Sequence, residues 1–596
     1  MPKKDTELVW SDKDTKVDRV KLPFQTVETL TEMRKLKQNR IHQFTGDDSQ
    51  WPENYPKDWK NKLIWGDNKY IMSSLLKDDF KGEIDLIYID PPFATGADFS
   101  MEIEVGGEDF VKEPSVIEEN AYRDTWGEGM SSYLQMLYDR FVLMRDLLSE
   151  KGTVYVHLDW HVGHYVKVIL DEVFGKDNFL NDIIWNYDAG AVGKKTFGRK
   201  HDIILRYSKG DNPKFNPDPV RIPYADSTLE RLEHDGARED NVEKVKNRGG
   251  KVPTDVWDMS IVQGNARENV NYPTQKPEEL LERIIKASTD EGDLVADFFC
   301  GSGTTAATAE KLGRRWICTD LSKYSVQTTR KRLLDLQNYS KEYDKPCRPF
   351  EVQNLGSYQK HKFLDNGHPP VEDYREFILD LYDAQSMEGY SFIHGKKGEK
   401  LVHIAGVDSV VTQEEVKDSA NECANAAGGK ELDVLGWDYE LGLDQAVEDI
   451  EEQYGIKINL KRIPKEAAEL KDASKAGDEV KFFDLGYLEV DVSTDGKEVE
   501  VELEHFVLPN PEYIPDDVEE EIDSFKDFID YWSVDFNYQD DTFHNMWQSF
   551  RSPNDSQLKT RCSHKYDSEG KREIFIKVID IFGNDTNKVV EVDIDE

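Results

Sequence analysis

From residue 61 onward, short apolar runs alternate with amphipathic stretches. Lys62-Leu63-Ile64-Trp65 is stopped by Gly66-Asp67-Asn68 and followed by a helical stretch over 70–76. The run IDLIYI over 84–89 is apolar almost throughout, as in a parallel strand buried on both faces, and it stops at Asp90-Pro91-Pro92-Phe93. The spacing of Tyr133, Met136, Leu137, Phe141, Met144, Leu147 and Leu148 predicts an amphipathic helix over 131–149. A strand over 153–158, a helix over 161–174 and a strand over 182–185 follow. Residues 186–256 lose this rhythm and are rich in Gly, Pro and charge. A helix over 277–288, a strand over 294–298, a helix from about 303 and a strand over 316–319 restore it. This alternation predicts a parallel sheet with helices on both faces. Residues 1–60 read as an irregular arm. Beyond 350 the pattern changes to mixed short elements, and from 481 to β-alternation such as Val499-Glu500-Val501-Glu502-Leu503. It closes in a predicted hairpin, 574–581 and 589–594 around Gly583-Asn584-Asp585, as in an antiparallel sandwich.

Composition narrows the classes. A chain of 596 residues exceeds one core, and 38% hydrophobic with 11% aromatic residues excludes global disorder. The start Met1-Pro2-Lys3-Lys4-Asp5 lacks the apolar segment of a signal peptide, and no run reaches membrane-spanning length, so a cytoplasmic protein with no membrane partner is expected. Five scattered cysteines without a CxxC pair point to neither a disulfide scaffold nor a zinc ribbon. The net charge of −43 is uneven: residues 351–596 carry −33 and the first 350 only −10. Residues 190–209 are locally +5, through Lys194, Lys195, Arg199, Lys200, Arg206 and Lys209 against Asp202. Such a segment can meet phosphate.

Two motifs carry chemistry. In Asp297-Phe298-Phe299-Cys300-Gly301-Ser302-Gly303-Thr304-Thr305 a strand runs into two glycines and a helix start, where the backbone can approach a ligand and unpaired N–H groups point outward. No Lys follows the second glycine, so this is not a phosphate P-loop. Asp320 ends the next strand, about twenty residues on, where an acid accepts from ribose hydroxyls. Together they suggest a nucleoside cofactor. In the second motif, Asp90 stands at the carboxyl end of a buried strand. Its side chain and the Pro91 carbonyl can accept both protons of an amino group, Pro91 and Pro92 stiffen the loop, and Phe93 offers a stacking face. His157, Asp159, His161 and His164 invite a metal reading, but they divide between a strand end and a helix and offer no fourth ligand. No metal is expected.

Asp-Pro-Pro-Phe, a variable basic segment, Thr274-Gln275-Lys276-Pro277 and then FCGSGTT resemble the permuted β class of S-adenosylmethionine-dependent DNA amino-methyltransferases over about residues 61–335. The loop Asp90-Pro91-Pro92-Phe93-Ala94-Thr95-Gly96-Ala97-Asp98-Phe99 is similar to that of modification subunits of type III restriction systems. Segments 155–160 and 255–258 also resemble the family, while Phe93 stands where Tyr is commoner.

The resemblance implies a Rossmann-like class I α/β methyltransferase with circularly permuted motif order, and the pattern beyond 350 adds α+β and β-sandwich-like C-terminal domains. The implied division is an arm over 1–60, a catalytic half over 61–185, a target-recognition region over 186–256, a cofactor half over 257–349, an α+β domain over 350–480 and a β-rich domain over 481–596. Asp90, Pro91, Pro92 and Phe93 would act on the base. Asp297, Phe299, Gly301, Ser302 and Gly303 would cradle S-adenosylmethionine, Asp320 its ribose, Asp67 its adenine, and Thr274 and Lys276 its carboxylate. Lys194, Lys195, Arg199, Lys200 and Lys209 would meet DNA. Asp rather than Ser at the first motif position favours adenine N6, with cytosine N4 next. RNA or protein-amide methylation, and a non-catalytic scaffold in a defence complex, are the alternatives. Double-stranded DNA, a restriction helicase or nuclease subunit and a second copy of the chain are the expected partners.

Overall fold

The computed structural model of the protein describes residues 6–11, 13–30, 56, 59–92, 101–105, 108–112, 129–187, 195, 197–224, 249–339, 348–356, 372–407, 409–440, 443–464, 467, 482–508, 524–539, 543–551, 557–581 and 584–595. The chain divides into two compact units, one of residues 1–21, 32–98 and 120–354, the other of residues 22–31, 99–119 and 355–596.

The first unit is built from β1 (Asn61–Trp65), α1 (Asn68–Leu75), β2 (Ile84–Ile89), α2 (Met130–Leu147), β3 (Leu148–Leu158), α3 (Gly163–Phe174), β4 (Phe179–Asn186), β5 (His201–Ser208), β6 (Val256–Asp258), α4 (Glu278–Ser288), β7 (Leu294–Asp297), α5 (Thr304–Lys311), β8 (Arg315–Asp320), α6 (Lys323–Tyr339) and β9 (Phe350–Leu355). Its strands lie in the order β9-β1-β8-β7-β2-β3-β5-β4-β6. Strands β2 and β7, far apart in sequence, are parallel neighbours, with Val295 opposite Leu86 and Ala296 opposite Ile87. The central strands are buried on both faces, which is why they read as continuous apolar runs. Helix α4 forms because Leu280, Leu281, Ile284 and Ile285 make one buried stripe, while Glu278 and Glu279 open it and Lys286 closes it in favourable relation to the helix dipole.

The parallel sheet expected from sequence is in fact mixed. Strand β5 runs antiparallel to both β3 and β4. It lies inside the segment assigned to target recognition, yet residues 202–208 are buried in the sheet. The predicted strand over 153–158 begins at Leu148, directly after α2, and the one over 182–185 spans Phe179–Asn186. The arm over 1–60 is not irregular throughout, since Phe24–Leu30 is a strand.

In the second unit, Phe24–Leu30 pairs in parallel with His544–Asn545. Strands Lys400–Ile404, Glu431–Gly436 and Lys457–Arg462 are parallel, joined through helices Gln413–Asn425 and Leu443–Tyr454. Two antiparallel sheets, one with Tyr487–Asp495 and Glu498–Val507, the other with Ile529–Asp535 and Gly570–Asp580, fill one core. Val499, Val501 and Leu503 enter it from the first, Trp532, Val534, Ile574, Ile576 and Val578 from the second. The acidic run at 516–521 and Gly583 lie outside the described residues. Among the described residues no helix is long and apolar enough to cross a membrane.

Candidate active site

Strands β8, β7, β2 and β3 are consecutive in the sheet and parallel, so their carboxyl ends meet along one edge, roughly 4.8 Å apart from strand to strand. Asp90 follows β2 there, and its side chain is 17% exposed. Oδ2 accepts from Lys276 Nζ. Oδ1 is buried and has no hydrogen-bond partner among the described residues. Pro91 is buried and Pro92 half-buried, while Phe93 lies outside the described residues.

Lys276 reaches Asp90 from the loop that opens α4. In that loop Asn271 and Thr274 hold φ of 55° and 62°. A β-branched residue in the left-handed region is strained, and such strain marks a segment held by its surroundings. Gln275 does part of the holding: its Oε1 accepts from Val270 N–H at 3.0 Å and its Nε2 donates to the Glu268 carbonyl at 2.6 Å. The Thr274 carbonyl also accepts from Lys276 Nζ, at 3.3 Å. Lys276, assigned from sequence to a cofactor carboxylate, is thus paired with Asp90.

The glycine loop is built by carboxylates. Asp297 Oδ1 accepts from Phe299 N–H at 3.0 Å and Oδ2 from the Thr305 hydroxyl at 2.5 Å. Burial pushes the Asp297 carboxyl up to about 7, against these two bonds and with help from the charges of Asp90 and Asp320. Asp320 Oδ2 accepts from Gly301 N–H at 2.8 Å and Oδ1 from Ser322 N–H at 3.0 Å. Gly301 and Gly303 have φ of 47° and 73°. A Cβ at 301 would lie 3.3 Å from the Tyr272 ring, and one at 303 only 2.6 Å from Thr329 Oγ1. Both glycines thus hold a backbone conformation that L-residues avoid, with Tyr272 and Thr329 close by. Ser302 is buried, its hydroxyl 3.0 Å from that of Thr304.

Asp67 is also engaged. It caps α1 through Lys69 N–H at 2.8 Å and accepts from Arg140 Nη2 of α2 at 2.7 Å. Its side chain therefore fastens two helices, which its expected position beside an adenine did not anticipate.

Behind Asp90 lies a buried chain of polar groups that sequence reasoning missed. His157 Nε2 is 3.2 Å from Asp202 Oδ2, and its Nδ1 is 2.8 Å from the Tyr88 hydroxyl. Tyr187 donates to Asp202 Oδ1 at 3.1 Å. Burial raises the Tyr88 phenol, aided by Asp90, Asp297 and Asp202. Burial also raises the Asp202 carboxyl, but the bonds from His157 and Tyr187 and the charges of His157 and Lys276 outweigh it and hold the group below its ordinary value. Of the residues considered for a metal, His157 is placed as above and His161 Nδ1 pairs with Asp159.

Of the basic residues, Lys195 and Arg199 are exposed and Lys200 half-buried, just before β5 begins at this edge. Lys209 is not brought there. Because β5 runs antiparallel to β3, Lys209 emerges at the opposite edge, where Nζ donates to the Leu148 carbonyl at 2.6 Å and sits 3.6 Å from Glu150. Arg206 is buried in the sheet against Tyr155 and Phe215. Lys194 lies outside the described residues.

The family model for N6/N4 DNA methylases matches residues 84–331. The chain is 30% identical over 331 residues to the type II methyltransferase M.EcaI of Enterobacter cloacae, an alignment covering 46% of this chain and 69% of that enzyme. The DNA adenine methyltransferase YhdJ of Escherichia coli K12 is 30% identical over 284 residues, 47% of this chain and 87% of that one. The chain belongs to the N6/N4 DNA methylase family. The solved complex of M1.HpyAVI with S-adenosylmethionine covers 46% of this chain and 98% of that protein, at 19% identity and a TM-score of 0.30.

Membership makes the chain a β-class DNA methyltransferase whose cofactor is S-adenosylmethionine. The donor chemistry at the edge fits that cofactor: a half-buried carboxylate, Asp320, suits a diol, and one cation, Lys276, suits an amino-acid carboxylate. The methylase match ends at 331, so the second unit's long sequence falls almost entirely outside it.

Proposed function

We propose that this chain transfers the methyl group of S-adenosylmethionine to the N6 amine of an adenine swung out of duplex DNA. The observation that supports this reading best is Asp90 Oδ1, a buried carboxylate oxygen without a described partner at the carboxyl edge of the sheet. A buried acceptor left unmade costs free energy that an N–H donor would recover. The lone pair of an adenine amine is delocalised into the ring, which makes it a poor nucleophile. With Asp90 and the Pro91 carbonyl each holding one N–H, that lone pair is turned out of the ring plane. When bound, S-adenosylmethionine supplies a sulfonium methyl open to direct displacement, with no covalent bond to the protein. Positioning is then the main contribution of the protein. Phe93 stacks on the extruded base and offsets part of the few kcal/mol that extrusion costs.

In this reading Gly301, Ser302, Gly303, Phe299 and Asp297 form the cofactor cradle, Asp320 meets the ribose and Asp67 stands by the adenine through the helix start it caps. Lys276 serves two anions in turn, Asp90 and the cofactor's carboxylate, with Thr274 fixing its loop. Asp90 precedes Asp297 by 207 residues although their strands are neighbours, which is the order of a permuted β-class enzyme. Target recognition belongs to residues 186–256 less strand β5, and Lys194, Lys195, Arg199 and Lys200 meet the DNA. A restriction-modification setting with a nuclease subunit, or pairing of two copies, would suit such an enzyme.

The purified chain, given methyl-labelled S-adenosylmethionine and mixed genomic DNA, should yield labelled N6-methyldeoxyadenosine on nucleoside analysis. Label in N4-methylcytosine would replace adenine as the target. Cofactor binding without any transfer would favour the scaffold.

A further inference from the structure

At the same edge, outside the Asp90 site, Trp160 stands two residues beyond the end of β3 and is 38% exposed. The guanidinium carbon of Arg199 lies 3.6 Å from the centroid of its ring, and the ring of His161 lies 3.5 Å from it, tilted by 33°. Arg199 comes from the segment entering β5, the strand beside β3. Two residues earlier in that segment, Phe197 is 98% exposed. With Arg199 and His161 both against the indole, what remains outward is the exposed guanidinium and the phenyl ring of Phe197.

A cation whose only task is to meet phosphate needs no flat support, and long flexible side chains serve it well. Arg199 is instead placed on an aromatic face before any ligand arrives, which fixes the plane of its guanidinium and lowers the ordering cost of a second stack. Phe197 has no role in the described core and stands between Lys195 and Arg199–Lys200, inside a basic stretch of an acidic chain. Flat groups interleaved with cations match a nucleic-acid strand whose bases are open on one face.

We propose that Arg199 and Phe197 form a wedge that stacks on a nucleobase next to the one delivered to Asp90, with Trp160 as the positioning residue under Arg199. The proposal rests on the DNA reading above and reassigns Arg199 from phosphate to base. Such a wedge would fill the gap left in a duplex when a base swings out.

The test compares two polyanions on the full chain: a labelled single-stranded oligodeoxyadenylate, which has bases, and inorganic polyphosphate, which has none. Phe197→Ala and Arg199→Lys leave the charge of the loop unchanged. Each should weaken oligonucleotide binding roughly tenfold, with the salt slope and the polyphosphate affinity unaltered. Trp160→Ala should act like Arg199→Lys, and Phe197→Trp should restore binding. Equal losses for both polyanions, or wild-type binding by Phe197→Ala, would overturn the wedge. Because the readout is binding, a chain that showed this pattern yet transferred no methyl group would contradict the proposed reaction and support the wedge.

Discussion

Asp67, Asp297 and Asp320 stand at the carboxyl ends of β1, β7 and β8, and each is occupied by donors of the protein itself: Arg140 and Lys69, Phe299 and Thr305, Gly301 and Ser322. Asp90, at the end of β2 in the same row, has one oxygen on Lys276 and the other on nothing described. In the function proposed above, the difference separates carboxylates that would build the cofactor side from one that would be kept for a ligand. Buried polar groups are nearly always paired, and Asp90 Oδ1 is the one buried carboxylate oxygen without a hydrogen-bond partner among the described residues.

The comparison can be pressed first at Asp67. If its carboxylate fastens α1 to α2, Asp67→Ala leaves Arg140, 4% exposed, without that carboxylate, with bonds to Asn68 and the Met136 carbonyl still present, and removes a helix cap. A loss of about 3–5 kcal/mol in unfolding free energy is expected from denaturant titration. Unchanged stability with weakened cofactor binding would show that Asp67 meets the cofactor and does not fasten the two helices. Next in size is Gly303→Ala, which forces a Cβ onto Thr329 at a φ that L-residues avoid. About 3 kcal/mol should be lost, and S-adenosylmethionine affinity should fall with it. A variant as stable as the parent would mean that the loop can relax.

The last effect shows only in its pH dependence, at Asp297, whose carboxyl is raised to about 7 by burial. For an acid with a raised folded pKa the native state holds the extra proton, so its contribution to stability falls as pH rises from about 4 to about 7 and stays low above. Asp297→Asn removes this dependence. Its stability relative to the parent should therefore climb between pH 4 and pH 7 and then level off. A flat difference would show that the carboxyl is not raised.

The strands ending at Asp90, Asp297 and Asp320 were legible because strands buried on both faces leave unbroken apolar runs, and ligand sites lie beyond their carboxyl ends. Strand β5 was not legible: it carries Asp202 and Arg206 inside a basic segment, and what they meet, His157 for the one and the Lys214 carbonyl and Tyr155 ring for the other, does not show in local sequence. The same limit hid the pairing of Lys276 with Asp90, 186 residues away, and that of Arg140 with Asp67, 73 away. Spacing reveals which residues share a strand or helix. Which residues meet across the sheet is set by the folded arrangement. Tyr88 was hidden for another reason, since an aromatic in an apolar strand reads as core until its hydroxyl is seen on His157.

Asp90→Ala tests the central distinction most directly, with S-adenosylmethionine binding followed by calorimetry and methyl transfer followed by label entering DNA on the same preparation. Transfer should fall roughly a thousandfold while cofactor affinity changes less than about threefold, because the unpaired oxygen serves the base. Surviving transfer together with a tenfold or greater loss of cofactor affinity would place Asp90 among the carboxylates that build the cofactor side, and the account would be wrong.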